Sequence, residues 1–240
     1  MEAKYTREMM ILPSQCDAKG QLGTANCFEL FMDIATAHAE ALGVGMALMR
    51  TRGLFWLTIR TKIRFIRRPG LTERVEVSTW PEPPEGLRCV RHYAVTAGGE
   101  TLVVGKTEWS LMNVRTGQRE KAEGVFPIDL AGAPACDEPF ARIEDDFTAE
   151  PYAEYVVPAG DIDFAGHMNN AAYARALVNS FSSKTWAAMK VAGMEIVFRA
   201  PCHEGDVLRL QKRAGDGSTD IRGSLPDGRT AVLARLYTEN

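Results

Sequence analysis

Between residues 24 and 43 the apolar side chains of TANCFELFMDIATAHAEALG recur three and four positions apart, at Phe28, Phe31, Ile34, Ala35, Ala39 and Leu42. This spacing predicts a long helix with one apolar face, with Thr24 and Asn26 as cap candidates and Gly43 as its stop. The period then changes. In FWLTIRTKIRF, Leu57, Ile59, Thr61, Ile63 and Phe65 alternate with Thr58, Arg60, Lys62 and Arg64, which predicts a strand with one buried face and one outward basic face. Three further strands are predicted over 74–80, 87–96 and 100–114, with Gly98-Gly99 as a hairpin and 115–118 as a turn.

From 124 to 150 the text is rich in Pro, Ala and acids and has no sustained period, so it reads as a linker. Beyond it the first pattern returns in shorter form: a strand around 152–157, a loop at 158–168 and a helix near 169–190. Strands follow at 194–200, 206–213, 219–225 and 229–237, with Asp216-Gly217 and Asp227-Gly228 at turns. The two halves can be laid over each other. Asp17 to Leu22 matches Asp163 to Met168 at an offset of 146, and Ile63, Phe65, Val75 and Val77 match Ile196, Phe198, Leu208 and Leu210 at an offset of 133. Near-constant offsets of this kind point to an internal duplication, each copy an α+β unit of one helix against an antiparallel sheet. The division predicted is residues 1–125, a linker at 126–150, and 151–240.

Composition narrows the classes. The 240 residues are 45% hydrophobic and 25% charged, which is ordinary globular usage, and the net charge of -3 argues against a nucleic-acid binder held by a global positive field. The five cysteines show neither CxxC spacing nor a Cys/His cluster, so no metal site is expected and the thiols read as reduced. With no membrane-length apolar run and no signal-peptide core at the N-terminus, the expectation is a soluble, cytoplasmic protein.

The chemistry concentrates in DIDFAGHMNNAAYARALV, residues 161–178, where Asp163, Gly166, His167, Asn169 and Asn170 converge on the start of a helix. Helix N-termini carry N–H groups without helical partners and favour negative charge. A thioester carbonyl held against the N–H groups of Gly166 and His167 would be polarised, and Asp163 could serve as general base toward water or as a nucleophile. A capping loop would use the same residue types, with Asn170 as the helix cap and His167 in an ordinary hydrogen bond.

The pattern Asp163, Gly166, His167, Asn169, Asn170, Tyr173 resembles the active-site loop and central helix of hotdog-fold thioesterases. The tandem arrangement, with the blocks at 55–80, 108–118 and 197–211, resembles the acyl-ACP thioesterases. That resemblance implies two hotdog repeats pairing into one continuous sheet, and a hydrolase that frees fatty acid from acyl carrier protein without a cofactor. It also implies an N-terminal repeat that shapes the acyl pocket and a C-terminal repeat that carries catalysis. Asp163 matches the family's catalytic aspartate, His167 its histidine, and Cys202 a cysteine proposed as nucleophile. Ala165 stands where the plant-type pattern has Asn, and Pro201 where it has Glu. These departures weaken a cysteine-centred mechanism and leave Asp163, Gly166 and His167 as the working set, with Ala165, Asn169, Asn170 and Cys202 lining the site.

Cys202 and His203 are adjacent, and neighbours on a strand point to opposite faces, so no direct pair is expected. Asp17 to Leu22 reads as a degenerate copy of the site, and His38 and His92 as structural or exposed. Arg60, Lys62, Arg64, Arg67 and Arg68 form a basic cluster that could dock an acidic carrier protein. The rival readings are an acyl-CoA thioesterase and a non-catalytic acyl-thioester binding module. Both a monomer with an internal hotdog pair and a homodimer fit.

Overall fold

The computed structural model describes residues 3–123 and 132–239. The chain divides into two compact units, Met1–Leu22 with Glu29–Glu138, and Gly23–Phe28 with Pro139–Asn240. The linker predicted over 126–150 is therefore split at residue 138; its residues 126–131 lie outside the described ones.

The first unit contains β1 (Tyr5–Met10), most of α1 (Thr24–Ala41), α2 (Met46–Arg52), β2 (Leu54–Phe65), β3 (Arg74–Pro81), β4 (Cys89–Ala97), β5 (Glu100–Asn113) and the short β6 (Arg119–Glu120). The strands pair antiparallel in the order β1-β3-β4-β5-β2, with β6 on β5. Gly43, with φ of 71°, ends the helical run as its sequence position predicts. Phe31 of α1 stacks on Tyr93 of β4 with ring centroids 4.4 Å apart. Gly105 of β5 makes room for it, since a Cβ there would lie 2.4 Å from the Phe31 ring. Burial of large rings between helix and sheet supplies much of the core's stability.

β4 is buried on both faces from Cys89 to Val95, and the second cover comes from residues 132–138. Trp80 Nε1 donates to Ala133 O at 2.8 Å, the Ala135 N–H donates to His92 Nδ1 at 3.3 Å, and His92 Nε2 meets Glu82 Oε1 at 2.6 Å. Cys136 is buried beside these contacts. Lys106 Nζ donates to Glu138 O, and Lys62 Nζ pairs with Glu138 Oε2 at 2.9 Å. A stretch without periodicity thus acts as a strap on the outer face of the sheet.

The second unit holds β7 (Glu150–Val156), α3 (Asn170–Asn179), α4 (Ser183–Ala188), β8 (Val191–Phe198), β9 (Val207–Gly215), β10 (Ser218–Ser224) and β11 (Thr230–Thr238). Its antiparallel order is β8-β11-β10-β9-β7. The helix predicted over 169–190 is broken in two, because Ser180 ends α3 and Ser182 opens α4 by accepting the Thr185 N–H at 3.1 Å. Serine competes for backbone groups and favours such caps. Tyr173 of α3 meets Phe198 edge-on at 5.6 Å. Residues 139–147 strap this sheet in turn: Ile143 and Phe147 are buried, the Arg213 guanidinium lies 4.5 Å over the Phe147 ring, and Asp145 accepts from Arg222 and Thr230. Each unit sets a helix against an antiparallel sheet.

Candidate active site

The strand β7 delivers the chain to a single 3-10 turn at Ala159–Asp161, and the next residues form a closed loop pinned by the Ile162–Met168 bridge. Within it the Asp163 N–H donates to His167 O at 2.9 Å and the Gly166 N–H donates to Asp163 O at 3.0 Å. Asp163 Oδ1 accepts the Ala165 N–H at 2.8 Å. Gly166 has φ of 78°, a conformation glycine adopts without steric cost. Met168 N–H donates to Cys202 O at 2.8 Å, which ties the loop to the segment after β8. Asn169 caps α3 by accepting the Ala171 N–H at 2.9 Å, so the cap is Asn169, and Asn170 is the first helical residue.

The frame of this loop recurs in the first unit. Asp17 N–H donates to Gln21 O at 2.7 Å, Gly20 N–H to Asp17 O at 3.0 Å, and Lys19 N–H to Asp17 Oδ1 at 2.8 Å. Leu22 N–H donates to Pro69 O at 2.8 Å, as Met168 does to Cys202 O. Such agreement at both offsets establishes the duplication. Two differences separate the copies. The Gln21 N–H is taken by its own aspartate, Asp17 Oδ1, at 3.2 Å, whereas the His167 N–H makes no hydrogen bond to any described residue. The Gly20 carbonyl accepts the Leu71 backbone N–H at 2.8 Å, whereas the Gly166 carbonyl meets His203 Nδ1 at 3.2 Å.

The two backbone donors expected from sequence are placed differently. The Gly166 N–H is spent inside the turn, whereas the His167 N–H has no acceptor among the described residues. The half-buried Asp163 carboxylate is held by one oxygen, and its Oδ2 has no partner among the described residues. Ala165 is exposed and contributes only its backbone. The His167 ring lies 4.9 Å from that of His203.

Cys202 is fully buried, with its N–H donating to Tyr173 Oη at 3.1 Å. Burial pushes its thiol upward, so the nucleophilic thiolate is disfavoured. Cys202 and His203 are not on a strand, since β8 ends at Phe198, yet they face apart: the thiol inward, the exposed imidazole toward Gly166. No two of the five cysteines form a disulfide.

Beneath the loop, sequence reasoning passed over Asp161. Its buried carboxylate accepts Tyr155 Oη at 2.5 Å and Arg175 Nη2 at 3.1 Å, and its carbonyl accepts the Asn169 N–H at 2.8 Å. An aspartate two residues before Asp163, in a stretch otherwise apolar, was the available signal.

The basic cluster of the first unit is largely committed. Lys62, expected on an outward face, is buried and paired with Glu138, because the strap covers the face that alternation assigned to solvent. Arg60 binds Glu108 through Nε and Nη2, and Arg68 donates to Leu22 O at 2.8 Å and covers the Phe65 ring. Arg64 reaches Glu138 at 3.5 Å, and Arg67, the exposed member, pairs with Glu73 and Glu100. His38 and His92 are both buried.

Models of the acyl-ACP thioesterase N-terminal and C-terminal domains match residues 2–123 and 144–226. The chain belongs to the acyl-ACP thioesterase family. It is 23% identical over 194 residues to an acyl-[acyl-carrier-protein] hydrolase, chloroplastic, of Cuphea viscosissima, covering 75% of this chain and 47% of that one. It is also 23% identical over 199 residues to the oleoyl-acyl carrier protein thioesterase, chloroplastic, of Coriandrum sativum, covering 75% of this chain and 54% of that one. The chain thus spans about half the length of the curated relatives it matches. Among solved structures of the family, the fold is shared with an acyl-ACP thioesterase from Bacteroides thetaiotaomicron, at 21% identity and a TM-score of 0.84, over 99% of this chain and 98% of that one. It is shared also with the 12:0-ACP thioesterase from Umbellularia californica, at 20% identity and a TM-score of 0.85, over 100% of this chain and 98% of that one. Among the described residues no helix is long and apolar enough to cross a membrane, and no cluster of His, Cys, Asp and Glu is arranged to hold a metal ion.

Proposed function

We propose that this chain hydrolyses acyl-acyl-carrier-protein thioesters, releasing free fatty acid, with the C-terminal repeat carrying the reaction. The observation that carries this reading is the asymmetry of the two loops: the second copy keeps an aspartate with an unshared oxygen beside an open backbone donor, while the first has closed its donor on its own carboxylate. Asp163 Oδ2 takes a proton from water as the water oxygen bonds to the thioester carbon. The resulting oxyanion is stabilised by the His167 N–H, a fixed dipole needing no reorganisation. Collapse breaks the C–S bond, and the departing thiolate recovers the proton from Asp163. His167 supports this arrangement through its ring at the mouth of the loop. Gly166 shapes the turn, and Ala165, Asn169, Asn170 and Cys202 surround it.

An acidic carrier would be met by Arg64 and Arg67, whose side chains keep 34% and 44% of their surface exposed. Ala165, which contributes only its backbone, favours acyl-CoA as a second substrate class, since this site needs only a carboxylate and one backbone donor.

Thiol release measured over acyl-ACPs of graded chain length, and over the matching acyl-CoAs, tests the reading. Wild type should release thiol. Asp163→Asn, which keeps the acceptor for the Ala165 N–H, should lower kcat by about 10³-fold. Absence of release, or an unimpaired Asp163→Asn, would overturn it.

A further inference from the structure

The loop after β8 carries one polar side chain into the candidate site that the first repeat lacks. At the position equivalent to His203 the first unit has Gly70, and the backbone around the two is the same: Gly70 N–H donates to Glu73 Oε2 at 2.8 Å, and His203 N–H donates to Asp206 Oδ2 at 2.7 Å. The imidazole is therefore an addition to a conserved frame, on an exposed residue whose removal disturbs no core.

We propose that His203 is a positioning residue for hydrolysis, acting through the Gly166–His167 peptide to strengthen and aim the His167 N–H. A carbonyl oxygen only accepts, so in the 3.2 Å contact His203 Nδ1 carries the proton and donates to Gly166 O. That oxygen belongs to the same planar peptide unit as the His167 N–H, and in a trans peptide the two groups point in opposite directions. A donor on the carbonyl side polarises the peptide and makes its N–H a stronger donor on the other, as in any chain of hydrogen bonds. His203 thus stands behind the donor that faces the oxyanion. Its ring, 4.9 Å from that of His167, also limits how the loop tilts. In the first repeat the corresponding peptide is closed on both sides by Leu71 N–H and Asp17 Oδ1, with no side chain behind it and no donor in front.

This role rests on the hydrolase reading above. The test compares wild type, His203→Ala and His203→Asn on an acyl-ACP, with kcat and KM determined separately and thermal unfolding measured for each. Asparagine places an amide N–H near the position of Nδ1. The expected result is a kcat about 10-fold lower for His203→Ala, smaller than the loss of an oxyanion donor itself, with KM within about 2-fold. His203→Asn should recover most of the kcat, and all three should unfold at similar temperatures. An active wild type with an unaffected His203→Ala, or with His203→Asn no better than Ala, overturns the positioning role alone. A wild type that releases no thiol overturns both this role and the hydrolase assignment.

Discussion

Thr72 and Gly205 occupy the same place in the two repeats and share a left-handed backbone, with φ of 65° and 82°. Each N–H donates to a carbonyl at the end of the first strand of its unit, Thr72 to Ile11 and Gly205 to Val157, both at 2.9 Å. A β-branched residue in this region is strained by about 1–3 kcal/mol, whereas glycine is not. Thr72→Gly should therefore raise stability by about 0.5–1 kcal/mol after the added unfolded-state entropy is counted, and Gly205→Thr should lower it by more than 1 kcal/mol. Urea unfolding of both variants gives the comparison; a destabilised Thr72→Gly would show that the threonine side chain contributes more than its strain costs.

Asp161 holds the base of the candidate active-site loop through Tyr155 and Arg175. Burial, reinforced by the Asp161 carboxylate, pushes the Tyr155 phenol up to about 12, so it stays a donor throughout any assay range. Asp161→Ala removes a charged acceptor from both Tyr155 and Arg175 and should lower stability by about 2–3 kcal/mol, short of a fully buried pair because Arg175 can reach water. Tyr155→Phe should cost about 1 kcal/mol. Both should lower kcat, since the loop bearing Asp163 loses its footing; unchanged kinetics in a folded Asp161→Ala would separate the loop from its support.

Cys202 is poised for packing and not for attack. With its thiol raised by burial and closed off beneath Tyr173, Cys202→Ser should keep kcat within about 5-fold, and iodoacetamide should leave wild-type turnover largely intact. Abolished turnover in a folded Cys202→Ser would restore a nucleophilic role.

Asp220 gives the second unit a pH dependence of known sign. Burial pushes its carboxyl upward, but hydrogen bonds and charge from Arg235 and Arg213 outweigh this and hold it below the ordinary carboxylate range. A carboxyl depressed in the folded state contributes stability above its unfolded value, about 3.9, and loses it as pH falls through the folded value. Asp220→Asn should thus be clearly less stable than wild type above about pH 5. The gap should narrow once pH drops below about 4. A gap that is constant with pH would mean that packing, not ionisation, is what the variant disturbs.

Much of this was legible locally. The helix from Thr24, its stop at Gly43, and the turns at Gly98, Gly117, Gly217 and Gly228 follow from spacing and from glycine's tolerance of positive φ. The Asp163 loop was legible because the duplication repeats it. Three features were not. Lys62 reads as a solvent-facing position because alternation reports two faces of a strand and cannot know that residues 132–138 return to cover one of them. His203 meets Gly166 across 37 positions, a distance at which no spacing rule operates. That the Gly166 N–H donates to Asp163 O was not legible either, because helix-terminus logic counts donors without the turn that consumes one. The break at Ser180 and Ser182, by contrast, was written in the serines and was overridden by the apolar spacing around them.

The double cover on β4 governs how the first unit comes apart. Its amides from Val90 to Val95 can reach solvent only after the strap at 132–138 has lifted from Trp80, His92 and Lys106 and the helix has left the other face. Hydrogen exchange at these positions should then report the unit's global opening, while the strap exchanges at lower cost. A stretch with the composition of a tether becomes the gate through which unfolding of the N-terminal repeat has to pass.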